Sequence, residues 1–448
     1  MTRTQRARRY LLTPVDGLSL AFIRIFLGGT LLAEAFGKYA FTHAYFYAQP
    51  TTPLGYFGLP PTPPLPEPLF PYFWTGMGLL AFLVSLGAWY RISMVFLTLG
   101  MFYLQSWDGA LYHFHYNLVC MAMVLLCLLP AHARLSVDAW RKGFGGMVPR
   151  GAVLAFQLNM EFFLVYAGLV KLNNDWLHLE PLKMWLLQRP QPWVHTIATH
   201  DTLVALGAYG AIILHLVGAP LLMHRKGRPW IFGAYALFHC ANGFLFRLNI
   251  FPWVSLALTT LFFSPAWPQR FLPRLRTATG IPLKQPQWVW GLLVCWLLFQ
   301  AAFPLRHWLI EGDAAWTREG DKFSWMMMLN DRYGHLYYTV EAVDGRRFQV
   351  NPRPYFNTEQ MNAVVCHPDL IRQFALILAK EGRQRGLGKV KVFAHADCSL
   401  NGRLETPLIN SAVDLATTPW TFGHADWILP KPTSVPGQIY HPKDPVAP

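Results

Sequence analysis

Charged residues are scarce in this chain of 448 residues, at 14% of the total. Soluble domains carry about a quarter of their residues as charged side chains, so this composition excludes an ordinary soluble globular protein. Hydrophobic residues supply 53% of the chain and aromatic residues 15%. The sequence therefore predicts an integral membrane protein whose surroundings are the lipid bilayer.

Metal-binding patterns are also missing. The apolar segments contain no histidine cluster and no pair of carboxylates, and the adjacent His239 and Cys240 point in different directions on a helix. His113 and His115 are separated by about 200° around a helix and do not clasp one ion together. We therefore expect no metal.

Cysteine is sparse, with six residues, of which four lie in apolar segments. The other two, Cys366 and Cys398, fall near the C-terminus, and whether they pair is left open because a disulfide depends on geometry. The first apolar stretch is about 20 residues long and lacks a small-residue cleavage site, so we expect it to remain as the first membrane helix.

The chain contains nine long apolar runs. They lie near 17–36, 70–89, 92–107, 111–130, 152–170, 203–223, 230–246, 249–263 and 288–305. A helix needs roughly 20 residues to cross a hydrocarbon core of about 30 Å, and the third and eighth runs are short. The fold class expected is a polytopic α-helical membrane protein with about nine transmembrane helices, held to within one, in residues 1–305.

Basic residues concentrate on one side of these predicted helices. With the N-terminus inside, the inner segments hold Arg3, Arg6, Arg8, Arg9, Arg91, Arg134, Arg141, Lys142, Arg150, Arg225, Lys226, Arg228, Arg270, Arg274, Arg276 and Lys284. The outer loops hold Lys38, Lys171, Lys183, Arg189 and Arg247. The positive-inside rule puts the N-terminus in the cytoplasm and residues 306–448 outside. The charge of +14 thus indicates topology, and no nucleic-acid partner is expected.

The residue patterns in 306–448 predict a small extracytoplasmic α+β domain. Residues 337–343 alternate as a strand, "DG" forms a turn and "RRFQV" returns as a second strand. The stretch "HPDLIRQFALILAKEGRQRG" has helical spacing and a stop at Gly386. The tail from Lys431 is rich in proline and predicted to be extended.

Polar residues inside apolar spans are functional candidates, because ionisable groups are costly there. They are Arg24, His113, His115, Asn117, Glu161, Lys171, His215, His239 and Asn242. Helix direction and a rise of about 1.5 Å per residue place His115, Lys171, His239 and Asn242 near the outer face. Three helices are therefore predicted to bring a lysine and two histidines to one level.

Each of these residues also has a structural interpretation. Lys171 alone is typical of a lysine that reaches up to the membrane surface, and His115 of a hydrogen-bonded buried imidazole. Glu161 is predicted to be a structural partner for Arg24. A lysine removed from water loses its preference for the charged form and then accepts protons near neutral pH. Such a base is suited to a phenolic hydroxyl, which has a pKa of about 10.

The order of several motifs resembles one family. They are "AFIRIFLGG" with Arg24, "WYRIS" with Tyr90, "YHFHYNL" with His115, "LSVDAW", "AGLVKLNNDW" with Lys171, "FHCANGFLF" with His239 and Asn242, "SPAWPQR", "KFSWMMML" with Trp325, "SLNGR" and "AVDLA". Taken together and in this order, they resemble the vitamin K-dependent gamma-carboxylase family and its bacterial relatives that share the HTTM membrane domain.

The resemblance implies a chemistry and roles for residues. Lys171 is implied as the base that deprotonates vitamin K hydroquinone or a menaquinol-type naphthohydroquinone; O2 then adds, and the resulting alkoxide removes a γ-hydrogen from a protein glutamate, which captures CO2. His115 is implied to stabilise the oxygenated intermediate, and His239 to be a further catalytic histidine. We expect Asn242, Trp325, Arg24 and Tyr90 to bind the cofactor.

The chain departs from the family at several points. Val170 stands where the animal enzyme has a first lysine, the loop 39–69 has no cysteine for an interdomain disulfide, and Met326 follows "SW". The chain is also much shorter, so the protein acceptor is left open, as is whether carboxylation accompanies epoxidation.

Two functions from different classes stay open on the sequence. One is a membrane γ-glutamyl carboxylase and quinone epoxidase acting on a glutamate-containing protein or peptide with a lipid-soluble quinol. The other is a non-catalytic quinone-binding or peptide-handling membrane protein. The retained Lys171, His115, His239 and Asn242 favour the enzyme, because a binding protein needs no base. The basic N-terminus suits either a bacterial inner membrane or an endoplasmic reticulum, and the short chain without an N-glycosylation sequon in the outer domain favours the bacterial inner membrane.

Overall fold

Apolar helices form the part of the chain before residue 303. The computed structural model describes residues 2–275 and 277–439, so Arg276 and the end of the predicted Pro-rich tail lie outside the described residues. The helices are α1 (Arg3–Leu12), α2 (Leu18–Gly37), α3 (Phe70–Leu86), α4 (Tyr90–Ser106), α5 (Phe114–Leu128), α6 (Arg150–Leu169), α7 (Asp201–Ile213), α8 (Arg228–Phe246), α9 (Phe251–Thr259) and α10 (Gln287–Ala302). Short helices connect them.

The nine apolar segments predicted as spans are all helical within the described ranges. Five helices there are long and apolar enough to cross a membrane, namely Leu18–Gly37, Glu67–Leu86, Arg150–Leu169, Asp201–Leu222 and Gln287–Trp308. Helix α9 has nine residues, or about 13 Å at 1.5 Å per residue, which is less than a hydrocarbon core. The helical membrane fold is confirmed, whereas the number nine stays a prediction.

Two short strands align the starts of α2 and α6. β1 (Pro14–Asp16) pairs antiparallel with β2 (Met147–Pro149), with Val15 opposite Val148. Each strand leads directly into its helix, so both helices begin close to this strand pair. The end of α6, where Lys171 lies, is therefore at the opposite end of the bundle from β1 and β2.

Helices α2 and α3 approach each other closely at Gly28. A Cβ at this position would lie 2.7 Å from the backbone nitrogen of Ser85 and 2.9 Å from the carbonyl oxygen of Ala81. Real Cβ atoms do not come that near, so the crossing requires glycine. The hydrophobic core of the bundle extends from this crossing to Trp325, which belongs to the following domain.

The C-terminal domain, residues 306–439 of the described chain, contains a four-stranded antiparallel sheet. Its strands are β3 (Arg332–Glu341), β4 (Arg347–Val350), β5 (Lys391–Leu400) and β6 (Thr406–Pro407), in the order β4-β3-β5-β6. The predicted hairpin is confirmed as β3 and β4, although β3 begins five residues earlier than expected. Helix α11 (Pro368–Gln384) ends before Gly386, whose φ of 77° marks the predicted stop.

A disulfide joins Cys366 and Cys398, which the sequence left open. Their Cα atoms lie 5.9 Å apart, within the usual range for a disulfide. Cys366 precedes α11 and Cys398 lies in β5, so the bond ties the helix to the sheet. Both residues belong to the apolar core of the C-terminal domain.

The loop between α2 and α3 packs against the C-terminal domain. Residues 50–66 form no helix or strand, and Leu54 is buried in the core of that domain. Asp108 receives hydrogen bonds from the Tyr45 hydroxyl at 2.8 Å, the Leu54 backbone at 3.2 Å and the Gln360 amide at 2.6 Å. One buried carboxylate therefore links the bundle, its loop and the C-terminal domain.

Candidate functional site

A cavity of about 250 Å³ lies at the end of the bundle that faces the C-terminal domain. Its walls are mainly aromatic and aliphatic, and include Trp176, Trp185, Phe238 and Phe251. The polar side chains among its lining residues are Lys171, His215, His239 and Asn242. An apolar cavity with a few convergent polar groups is the usual form of a small-molecule site.

The turn that follows α6 explains the pattern "VKLNNDW". The Lys171 backbone donates to Gly168 at 3.0 Å, which tightens the helix end. Asn173 then caps the short helix Asn174–Leu177, because its side chain accepts from the Trp176 backbone at 3.0 Å. As a result Lys171 is buried at 4% exposure, whereas the next residue, Leu172, is 53% exposed.

Lys171 is a buried amine without a carboxylate partner in the described part of the chain. Its Nζ donates to the Ala167 carbonyl at 2.9 Å and lies 5.1 Å from the centre of the Trp176 ring. The residue stands two positions beyond the candidate span Arg150–Leu169. Burial lowers the pKa of Lys171 to about 8, so about a tenth of the amine is neutral at pH 7, far more than for a lysine in water, and this fraction is able to accept a proton.

Asp175, in the same turn, is a buried carboxylate with a different role. Arg403 donates to its two oxygens at 2.7 and 2.6 Å, and Asn401 donates at 2.8 Å. Burial raises the pKa of Asp175, but the hydrogen bonds from Arg403 and Asn401 and the Lys431 charge outweigh it and hold that pKa below its usual value. Asp175 is therefore an ionised anchor between the lysine turn and the C-terminal domain.

Asp175 and Arg403 were not among the predicted site residues. Both lie in motifs that the sequence analysis quoted, "AGLVKLNNDW" and "SLNGR". The sequence offered one signal for this pair. Each motif contains a charged residue that no predicted role used, an aspartate in the first motif and an arginine in the second. Their pairing is not encoded by local spacing, because 228 residues separate them.

His239 faces the cavity with one ring nitrogen held. Its Nε2 lies 3.0 Å from the Ser255 hydroxyl, and its Nδ1 has no hydrogen-bond partner among the described residues. Asn242 lines the same wall, one helical turn further along α8. The predicted pair His239 and Asn242 is thus brought to the cavity together with Lys171.

His215, a functional candidate for which no role was predicted, also lines the cavity. It lies in a π-helical turn, Leu214–Gly218, which follows α7, and such turns are frequent at functional sites. Its ring centre is 5.6 Å from that of Tyr235 and 5.2 Å from that of Phe238. Its Nδ1 has no partner among residues 2–275 and 277–439.

His115 and Trp325 are each one aromatic ring away from the cavity. The His115 ring is 6.2 Å from Phe251, which lies 6.0 Å from His239. Trp325 is buried with its ring 4.8 Å from Phe163, another lining residue. The structure therefore places both predicted residues behind the cavity wall.

Arg24 and Tyr90 are not brought to the cavity. The Arg24 guanidinium donates to backbone carbonyls of Val84 at 2.8 Å, Ala131 at 3.1 Å, and Ser85. The Tyr90 hydroxyl donates to the Leu126 carbonyl at 2.6 Å. Arg24 lies six residues into α2, so helix length separates it from the end of α6 by about 20 Å. Both side chains hold the opposite end of the bundle together.

The predicted partnership of Glu161 with Arg24 is wrong. Arg24 is saturated by backbone oxygens from the ends of α3 and α5, and both carboxylate oxygens of Glu161 are without a hydrogen-bond partner in the described ranges. Glu161 lies in the middle of α6, whereas Arg24 lies near the start of α2, so the two differ in depth.

Two models of known families match the chain. A family model of the HTTM domain matches residues 12–267, and a model of the vitamin K-dependent gamma-carboxylase, lumenal domain, matches residues 285–434. The chain belongs to the vitamin K-dependent gamma-carboxylase family. No solved structure matches it.

The two matched regions meet at the cavity of this gamma-carboxylase family member. Lys171, His215 and His239 come from the HTTM region, and Met327 and Met328 complete the lining from the lumenal region. A naphthohydroquinone fits the residues present: its ring suits the aromatic walls, and the unpaired Nδ1 atoms of His215 and His239 are ready to bond its oxygens. In the described residues no group of three or more metal-binding side chains occurs.

Proposed function

We propose that this membrane protein is a vitamin K hydroquinone-dependent γ-glutamyl carboxylase with coupled quinone epoxidation. The observation that carries the proposal is Lys171, a buried amine in an apolar cavity without a carboxylate partner in the described part of the chain. A carboxylate neighbour would keep the lysine charged, whereas its absence favours the neutral base.

Lys171 is the residue that removes the proton from the substrate hydroquinone. Its Nζ has one hydrogen bond to the Ala167 carbonyl, which orients the amine and leaves the nitrogen lone pair for the incoming proton. When bound, a reduced naphthoquinone supplies an ionisable hydroxyl and, with O2, the oxidising power that drives addition of CO2 to a glutamate.

The histidines act on charge that develops in the cavity. His239 is oriented by Ser255 at 3.0 Å, and a fixed donor in a water-poor site stabilises developing negative charge strongly. His115 lies behind Phe251. We therefore assign it two roles, supporting that wall of the cavity and stabilising the quinone after O2 has added. Asn242 and Trp325 are assigned to cofactor binding, and Arg24 and Tyr90 are left out of the site.

The walls of the cavity exclude water. Trp176, Phe238 and Phe251 surround the amine, and a strongly basic species survives only where bulk water cannot protonate it. Asp175 contributes by fixing the turn that bears Lys171 to Arg403. We assign the glutamate-containing peptide to the side of the C-terminal domain, outside a bacterial inner membrane, with the N-terminus in the cytoplasm.

The test uses purified full-length protein in lipid nanodiscs. Reduced vitamin K, O2, labelled bicarbonate and a glutamate-containing peptide are supplied, and epoxide and fixed label are followed separately. We expect both products from the wild type and neither from Lys171→Ala. Lys183→Ala is the matched control, because Lys183 is a nearby lysine paired with Asp201 at 2.5 Å outside the cavity.

The possible outcomes distinguish the proposed enzyme from the alternative of a binding protein. Epoxide without fixed label in the wild type means that the quinol chemistry is retained while the acceptor peptide is wrong or missing. The absence of both products favours the binding protein over the enzyme. Full activity in Lys171→Ala refutes the assigned base.

A further inference from the structure

A second cavity, of about 410 Å³, lies in the C-terminal domain close to the end of the last helix. It is separate from the Lys171 cavity, since the two have no lining residue in common. Lys322 and His367 line it and are buried, at 6% and 5% exposure. No step of the proposed carboxylation uses either residue.

The contact between Lys322 and His367 fixes the hydrogen positions. The Lys322 Nζ lies 3.3 Å from the His367 Nε2. When Lys322 is in its ammonium form it only donates, so in that form Nε2 accepts and the ring hydrogen is on Nδ1. Burial lowers the pKa of His367 well below its usual value, which agrees with this neutral ring. The Nδ1 donor has no partner in the described chain.

Lys322 likewise has N–H groups that no hydrogen bond in the described residues uses. Its hydrogen bond to His367 uses one of three N–H groups, and its ammonium also faces the rings of Tyr56 and Tyr112, at 5.6 and 5.5 Å. Among the described residues, Lys322 forms no ion pair. Two adjacent buried side chains therefore present unmet donors in one cavity.

The acids near Lys322 are already engaged. Asp321 is paired with Arg318 at 2.7 Å, and Asp369 with Arg372 at 3.1 Å. Their charges attract Lys322 from a distance, but each is balanced by its own arginine. A buried cation without a paired anion is unfavourable, so the cavity is suited to an anionic ligand.

This cavity adjoins the end of a candidate membrane span. The candidate span Gln287–Trp308 ends directly before two lining residues, Leu309 and Ile310. Leu309 is 87% exposed and Phe422, another lining residue, is 77% exposed. Apolar side chains exposed at this level are suited to lipid chains, while the unmet donors lie deeper in the same cavity.

We propose that this cavity binds the phosphate headgroup of an anionic phospholipid, with Lys322 and His367 as donors and Leu309 and Phe422 against the acyl chains. Lysine is a common phosphate ligand, and hydrogen bonds to a charged group are stronger than neutral ones. Basic pockets beside membrane helices bind anionic headgroups in the same manner.

The first experiment measures lipid binding to full-length protein in non-ionic detergent by native mass spectrometry. The probes are short-chain phosphatidylglycerol, phosphatidylcholine of the same chain length, and glycerol 3-phosphate. We expect phosphatidylglycerol to bind about tenfold more tightly than phosphatidylcholine, and Lys322→Met to lose about tenfold. Lys322→Arg should retain the affinity, and Lys389→Met, at an exposed lysine of the same domain, should not change it.

Several results would overturn the proposal. They are equal binding of the two lipids, wild-type affinity in Lys322→Met, complete displacement by glycerol 3-phosphate, which indicates a site for free anions, or displacement by an acidic peptide. If Lys322→Met does not fold, the wild type is photo-crosslinked with a diazirine phosphatidylglycerol. Adducts between residues 306 and 322 support the site, and adducts confined to other helices refute it.

Discussion

Arg403 in the C-terminal domain forms two hydrogen bonds, of 2.7 and 2.6 Å, with the carboxylate of Asp175 in the turn that bears Lys171. Both side chains are 3% exposed. Paired bonds between arginine and carboxylate combine charge with fixed geometry. The position of the proposed base is therefore set partly by a residue 228 positions later.

Replacing Arg403 should destabilise the protein. Arg403→Met leaves a buried carboxylate with weaker partners, Asn401 and Lys431, and removing one partner of a buried pair costs about 3 kcal/mol or more. We expect the apparent Tm of the purified protein to fall by more than about 5 °C. We also expect activity to fall at temperatures where the variant remains folded, because the turn loses its anchor.

The matched control for that variant is Arg385→Met. Arg385 pairs with Glu381 at 3.3 Å on the surface of α11, where such a pair contributes about 0.5 kcal/mol at most. A melting curve of Arg403→Met that coincides with that of Arg385→Met would show that the buried pair does not support the fold.

The rate of the proposed reaction should rise with pH through a midpoint near 8. Lysine accepts a proton only when neutral, and burial lowers the pKa of Lys171 to about 8, so the competent fraction grows as pH increases past that value. Initial epoxidation rates over about pH 6.5 to 10 measure it. A midpoint near 10 would instead report unassisted ionisation of a phenol, and Lys183→Met should keep the wild-type profile.

Gly168 should be intolerant of a methyl group. In Gly168→Ala the new Cβ would lie 2.8 Å from the His215 Cβ and 2.8 Å from the Leu216 side chain, which forces the π-helical turn away from α6. Overpacking of this kind costs about 1 to 3 kcal/mol. We expect a lower Tm and weaker binding of a quinol analogue, measured by fluorescence quenching.

Gly210→Ala provides the comparison for that substitution. Nothing lies within 4 Å of a Cβ at Gly210, in the middle of α7. Alanine favours a helix over glycine by about 1 kcal/mol, so this variant should be neutral or slightly stabilised. If the two variants melted alike, the close approach at Gly168 would be of no consequence.

The disulfide between Cys366 and Cys398 should stabilise the C-terminal domain. It closes a loop with a sequence separation of 32 residues, for which chain entropy predicts about 4 kcal/mol. Cys366→Ser with Cys398→Ser should therefore lower the Tm, and dithiothreitol should lower that of the wild type by the same amount. Cys295→Ala is the control, because Cys295 is a free cysteine; an equal loss there would contradict the prediction.

Local pattern was sufficient for most secondary structure. The apolar segments are helices because their length and composition suit one, and the hairpin follows from alternation around "DG". Helix direction was also sufficient to bring Lys171, His239 and Asn242 to one cavity. Each of these features depends on residues that are near one another in the sequence.

Features that depend on distant partners were missed or mistaken. Arg24 was given a carboxylate partner, but the helix ends supply enough backbone oxygens to satisfy it. His215 reaches the cavity because a π-helical turn reorients it, and apolar periodicity carries no sign of such a turn. The count of spans stays open since helices such as α9 are too short to cross alone.

The carboxylates of Asp108 and Asp175 are tied to the C-terminal domain at two separate places, through Gln360 and Arg403. The β5 strand and α11 lie between these two attachments along the chain, so lifting this segment from the bundle would require at least one buried carboxylate to lose a hydrogen-bond partner. While both attachments hold, we expect the proposed quinol to reach the Lys171 cavity from the lipid between helices, beside Trp193 and Phe246 in the cavity wall.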